Sequence, residues 1–156
     1  MKRLNGILPA IVTPTNSARV FQYEPFERLL SFLYGKGVDG LYVCGQTGEG
    51  LQQSVFQRKL VTEAAVRYSP KGKTIMVHVG AASTADALEL ARHAENVGAH
   101  ALSALPPIGN SFVEVKSYYQ TLAAAAFLPF LGYYFPTLSA SIGSTAQIWN
   151  CAKFRM

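Results

Sequence analysis

The stretch Gly37-Val38-Asp39-Gly40-Leu41-Tyr42-Val43-Cys44-Gly45-Gln46-Thr47-Gly48-Glu49-Gly50 carries the reading of the whole chain. A glycine suited to a helix end comes first. An apolar run follows, and then a loop with three glycines in six residues. Leu51-Gln52-Gln53-Ser54 leads into a helical pattern, so the loop leaves the C-terminal end of a strand. Glycines let such a loop bend sharply and approach a ligand. Its backbone N–H groups can face an anion, and the Thr47 hydroxyl adds a donor. Taken alone, an ordinary glycine-rich strand-to-helix turn is the simpler reading.

The same alternation extends both ways. Upstream, the apolar run 6–13 reads as a buried strand closed by Thr13-Pro14. Phe26, Leu29, Leu30 and Leu33 then fall on one helix face, with Pro25 in the first turn and Gly37 at the end. Downstream, Ser54-Val55-Phe56-Gln57 has the form of a capping box, and Phe56, Leu60, Ala64 and Ala65 continue one face. Residues 74–79 are strand-like. Ser83 caps a helix with Ala87, Leu90, Ala91, Ala94 and Val97 on one face, ended by Gly98. Residues 101–105 form another strand pattern, stopped by Pro106-Pro107. Ser111-Phe112-Val113-Glu114 is a second capping box, followed by Val115, Tyr118, Tyr119, Leu122 and Ala126. Residues 129–135 are a fifth apolar run, and Ser144 starts a further helical pattern that fades at Trp149.

The expected order is therefore β-α-β-α-β-α-β-α-β, repeating at about 30 residues. Such alternation implies a parallel sheet with right-handed crossovers. A (β/α)8 barrel and a doubly wound sheet both satisfy it. No dinucleotide fingerprint follows the first strand. A full barrel takes roughly 250 residues, so 156 residues with five strands make an incomplete one.

Composition narrows the function classes. Half of the chain is hydrophobic, 49%, enough for a core in one soluble domain. No apolar run approaches the roughly 18 residues that suggest a membrane span, and no cleavable signal peptide is evident. Cys44 and Cys151 make no disulfide framework, which points to a reducing cytoplasm. The net charge of +5 is spread over scattered residues, with no basic and aromatic stripe for nucleic acid. His78, His93 and His100 lack metal-ligand spacing, so no metal site and no cofactor are expected. His78 follows Val77 on a strand and reads as a bonded core residue, His93 as exposed on its helix, and Cys44 as a small buried strand residue.

Five pieces in order resemble the dihydrodipicolinate synthase / N-acetylneuraminate lyase family of class I, pyruvate-dependent aldolases. They are Gly6-Ile7-Leu8-Pro9-Ala10-Ile11-Val12-Thr13-Pro14, Gly37-Val38-Asp39-Gly40-Leu41, and the loop 45–50 with Ser54 and Arg58 behind it. His78-Val79-Gly80-Ala81 and Tyr133-Tyr134-Phe135-Pro136 complete the set. The last is similar to the family's Tyr-x-x-Pro. The resemblance runs over residues 4–139. It implies a TIM barrel, truncated here after about five βα units, with residues 1–139 as its N-terminal part. Residues 140–156 would then be an aberrant or truncated tail.

The resemblance further implies Schiff-base chemistry on a 2-keto acid such as pyruvate. In the family a lysine on the sixth strand forms an imine, an electron sink that lets the adjacent C–C bond form or break. By position, Gln46, Thr47 and Gly48 would hold the keto acid's carboxylate, and Tyr133 would be the general acid/base. Without the resemblance, Thr47 is a loop cap and Tyr133 is barrel filler with its hydroxyl bonded to backbone. A cytoplasmic homo-oligomer is implied, a tetramer in the full-length family, with no nucleic-acid or membrane partner.

Two departures matter. The family's lysine follows its tyrosine by one helix and one strand, on the order of 30 residues. Lys153, in Ala152-Lys153-Phe154, comes only 20 residues after Tyr133 (153 − 133) and is read as a fortuitous match. The expectation is a truncated or frame-shifted product, inactive on its own. Second, dihydrodipicolinate synthases carry Thr-Thr where this chain has Gln46-Thr47, and a tyrosine pair where it has Pro107-Ile108. His78-Val79-Gly80-Ala81 and Leu128-Pro129-Phe130 look closer to the N-acetylneuraminate lyase side. The alternatives are 4-hydroxy-tetrahydrodipicolinate synthase, a 2-keto-3-deoxy sugar acid aldolase, or a non-catalytic half-barrel.

Overall fold

The structure is a computed structural model that describes residues 4–109 and 111–135. The helix pattern from Ser144, Cys151 and Lys153 lie outside these residues. Helices and strands alternate as α1 (Tyr23–Gly35), β1 (Gly40–Val43), α2 (Val55–Tyr68), β2 (Thr74–His78), α3 (Thr84–Asn96), β3 (Ala101–Ala104), α4 (Phe112–Ala125) and β4 (Phe130–Gly132). The four strands pair in the order β1-β2-β3-β4, and every pairing is parallel. This is the α/β arrangement of part of a (β/α)8 barrel.

The first expected strand is a correction. Residues 7–11 run beside β1 but make a single bridge, Ala10 with Tyr42. The Ile11 amide donates to the Tyr42 carbonyl at 3.1 Å, and the Tyr42 amide donates to the Pro9 carbonyl at 2.9 Å. The next rung would need an N–H on residue 9, which proline lacks. An extended edge segment therefore stands where a full strand is expected.

Side chains alternate across the sheet. One face presents Leu41, Val43, Ile75, Val77, Leu102 and Ala104, all buried. They join a core with Phe26 and Leu30 of α1, Val61 and Ala65 of α2, Leu90 and Ala94 of α3, and Val115 and Leu122 of α4. The register places Tyr42, Met76, His78, Ser103 and Leu131 on the other face. Here Tyr42 and Met76 are half-buried, and Leu131 is 39% exposed.

The α2 face is a second correction. Phe56, expected in the core, is 69% exposed, while Arg58 is only 3% exposed. The buried line is Arg58, Val61, Thr62 and Ala65, at i, i+3, i+4 and i+7. Ser54 does cap this helix by accepting the Gln57 amide. The return half of the box is missing. The Gln57 side chain instead accepts from the Phe21 amide at 2.6 Å and donates to the Arg19 carbonyl at 2.6 Å, tying down the turn before α1. The box at Ser111 and Glu114 is complete.

Candidate active site

In a parallel sheet all strand C-termini share one rim, and there the loop 45–50 and Tyr133 both emerge. The loop is built by contacts that only glycine permits. A Cβ on Gly50 would lie 1.9 Å from the Cys44 carbonyl oxygen, and one on Gly48 would lie 2.9 Å from the Ile11 oxygen. Cys44 and Glu49 take left-handed backbone, with φ of 57° and 54°. The Gly50 amide closes the turn on the Gly45 carbonyl at 3.1 Å. The Gly48 carbonyl is held twice, by the Thr13 hydroxyl at 2.8 Å and the Gln53 amide at 2.7 Å.

These bonds, with one from the Glu49 amide to the Gln46 carbonyl at 3.0 Å, occupy the carbonyls of Gly45, Gln46 and Gly48. The N–H groups of Gln46, Thr47 and Gly48 have no acceptor among the described residues. Gln46 and Thr47 are exposed, and neither side chain bonds another described residue. Thr47 therefore does not cap its own loop. Successive backbone N–H groups without an acceptor, beside a hydroxyl, are donors of the kind that anion-binding turns supply.

Tyr133 reaches the same place from β4. Its amide donates to the Ala104 carbonyl at 2.9 Å, and its carbonyl accepts from the Tyr119 hydroxyl at 3.0 Å. Its ring stands edge-to-face with Tyr42 and His78, at centroid distances of 6.3 and 6.4 Å. Tyr42 and His78 are themselves 6.5 Å apart, which closes a triangle. Gly45 leans on the Tyr42 ring, since a Cβ there would come within 2.9 Å of it. Tyr42 thus bridges the glycine loop and Tyr133. The Tyr133 hydroxyl has no partner, backbone included, among the described residues.

Two side chains lace the rim from behind. His78 accepts the Leu105 amide on Nε2 at 2.9 Å, which leaves the ring proton on Nδ1. A bond to the Cys44 backbone completes the span from β1 to β3. Burial first, and then the nearby Arg58 charge, pushes the His78 pKa down to about 3. This ring is a neutral structural link, as its sequence position suggests.

Arg58 donates to the Gly80 carbonyl at 2.8 Å and the His78 carbonyl at 2.6 Å. Its own carbonyl accepts from Thr62 at 2.9 Å and, at 3.9 Å, from the Cys44 thiol. Burial raises that thiol to about 11 and, aided less by a neighbouring tyrosine, raises the Tyr42 phenol to about 12. Tyr42 also reaches the Ser103 hydroxyl at 3.4 Å. His93, expected on the exposed face, is half-buried and bonds Glu63 at 2.8 Å.

Sequence reasoning missed Tyr42 and Ser103 and valued Arg58 only as part of a motif. The spacing of Arg58 with Val61, Thr62 and Ala65 was the available signal. Among the described residues, no helix is long and apolar enough to cross a membrane.

Comparison with known proteins bears on the fold and the family. An N-acetylneuraminate lyase of Enterobacter sp. (strain 638) is 39% identical over 142 residues, covering 88% of this chain and 48% of the relative. The sialic acid aldolase of Ruminococcus gnavus superposes with a TM-score of 0.87 at 32% identity, over 96% of this chain and 50% of that one. A prophage protein of the dihydrodipicolinic acid synthase family from E. coli K12, solved in complex with pyruvate, gives 0.89 at 25% identity, over 96% and 51%. The chain spans about half the length of the curated relatives it matches. The model of the dihydrodipicolinate synthetase family matches residues 3–154. With nearly its whole length matched, this chain belongs to the dihydrodipicolinate synthetase family.

Proposed function

We propose that the loop 45–50 and Tyr133 are the keto-acid half of a pyruvate-dependent carbon–carbon lyase site, of the N-acetylneuraminate lyase kind. The observation that carries this reading is the row of open amides on Gln46, Thr47 and Gly48. A carboxylate laid on that row gains charge-assisted hydrogen bonds from the amides and the Thr47 hydroxyl. The Tyr133 phenol, seated by two neighbouring rings with its hydroxyl open, then moves a proton to or from the reacting carbonyl. The lyase named among the relatives and the pyruvate-bound neighbour support the substrate class. Cytoplasmic location and assembly into a homo-oligomer belong to the same proposal.

None of the described lysines is placed to be the amine that would form the imine. Of the described lysines, Lys59 and Lys116 lie on helices and Lys36 caps α1. Lys71 and Lys73 sit in the turn before β2, at the opposite rim. None follows the C-terminal end of a strand. The proposed state of the 156-residue chain is therefore keto-acid binding without turnover.

Borohydride reduction with labelled pyruvate tests this. The expected result is saturable pyruvate binding with no covalent label, and binding weakened about tenfold in Thr47→Val, the effect of one charge-assisted hydrogen bond. A stable adduct at Lys153 would replace the inactive reading with an active one. Unchanged affinity in Thr47→Val would remove the loop assignment.

A further inference from the structure

Arg58 is a charge without a counterion. It is 3% exposed, and its Nε is buried with no hydrogen-bond partner. All nine acidic side chains of the sequence lie in the described residues. The ion pairs they form involve Glu24, Glu63 and Glu89, and none involves Arg58. The two carbonyls it holds, His78 and Gly80, satisfy donors but carry no net charge. A buried, unpaired cation is among the costlier arrangements a fold can hold. Its persistence calls for an anion that arrives from outside the chain.

The position of Arg58 says which anion. Its acceptors lie at the C-terminal end of β2, and its backbone carbonyl meets the thiol of Cys44, the residue before the glycine loop. The guanidinium thus stands behind the rim that also carries the open amides of Gln46, Thr47 and Gly48. His78 and Tyr42, the rings against Tyr133, lie beside it. Hydrogen-bond donors without acceptors and a cation without an anion meet at one rim, and one carboxylate answers both.

Resting on the keto-acid reading of the loop, we infer that Arg58 is the buried countercharge of the bound carboxylate. It is a positioning residue that acts through space and through the two strand ends it joins, not by touching the ligand. A guanidinium suits the task because it stays charged when buried and its fork can hold two carbonyls at once. A structural pin alone predicts something different. It would stiffen the rim for any ligand of the same shape, charged or not.

The test compares pyruvate with pyruvamide, its uncharged isostere, by calorimetric titration of the full chain. The native chain should prefer pyruvate. Arg58→Met should lose that preference by roughly tenfold, through weaker pyruvate binding with pyruvamide affinity kept. Arg58→Lys, which keeps the charge but not the fork, should retain the preference despite a lower melting temperature. Should Arg58→Met fail to fold, Arg58→Gln, which keeps amide donors for the carbonyls, carries the comparison. A folded neutral variant that still prefers pyruvate, or that loses both ligands equally, overturns the countercharge and leaves the loop reading standing. A native chain that binds neither ligand, or both equally, overturns both.

Discussion

His78 and Arg58 show how a rim is stiffened by buried side chains that bond its backbone. His78 also makes the fold sensitive to acid in a defined direction. Its pKa falls from 6.5 to about 3 in the folded chain, because burial and the Arg58 charge disfavour the protonated ring. The unfolded chain therefore binds a proton more readily between those values. The stabilisation is fully present above pH 6.5 and is lost as pH drops towards 3. Melting temperatures of the native chain and of His78→Gln should differ by a constant amount above pH 6.5 and converge below it. A gap that stays constant down to pH 3 would show that His78 does not titrate on unfolding. Gly50 gives a second prediction at this scale. Alanine there meets the Cys44 carbonyl at 1.9 Å, and overpacking of this kind costs about 1–3 kcal/mol or more. Gly50→Ala should lower the melting temperature and weaken pyruvate binding together, whereas Gly72→Ala, with open space around it but φ of +87°, should only destabilise.

Among the elements, the two capping boxes separate what local sequence can say from what it cannot. Ser111 and Glu114 satisfy each other within one turn, so the spacing alone gives the start of α4. Ser111→Ala should cost about 1 kcal/mol, read as a lower denaturant midpoint with an unchanged slope. Ser54 and Gln57 have the same spacing, yet Gln57 is drawn to Phe21 and Arg19, more than thirty residues away. The same difference explains Phe56 and Arg58. A helical period selects apolar residues, and it named Phe56. The residue that is buried is Arg58, because two carbonyls at the end of β2 wait for its fork. Likewise the run 6–13 looks apolar enough for a strand, but Pro9 has no N–H to extend the parallel ladder on one side and Cys44 leaves extended backbone on the other. The helices α1, α3 and α4 and the strands β1 to β4 follow their periods closely because their partners are the neighbouring layers that any βα repeat supplies. The placement of Gln46, Thr47, Gly48 and Tyr133 at one rim follows from the parallel order. The rings that seat Tyr133 do not, since Tyr42 and His78 come from distant positions in the chain.

Across the molecule, the sheet is covered more completely on one side than on the other. The helix-facing side is buried, while the other carries half-buried Tyr42 and Met76 and exposes Leu131, with Val12 and Phe135 exposed at the rim. Strand β4 also pairs only with β3 among the described residues, and an unpaired parallel edge invites further pairing. The 156-residue chain should therefore self-associate in solution. Sedimentation velocity over a range of concentrations should show mass rising with concentration, and Leu131→Lys should reduce it. A monodisperse monomer throughout would mean that this face is satisfied within the chain. The aromatic triangle has a consequence for synthesis. Two of its corners, Tyr42 and His78, leave the ribosome well before the third. The Tyr133 phenol, proposed above to move protons, is thus delivered last, onto a platform already laid by earlier strands.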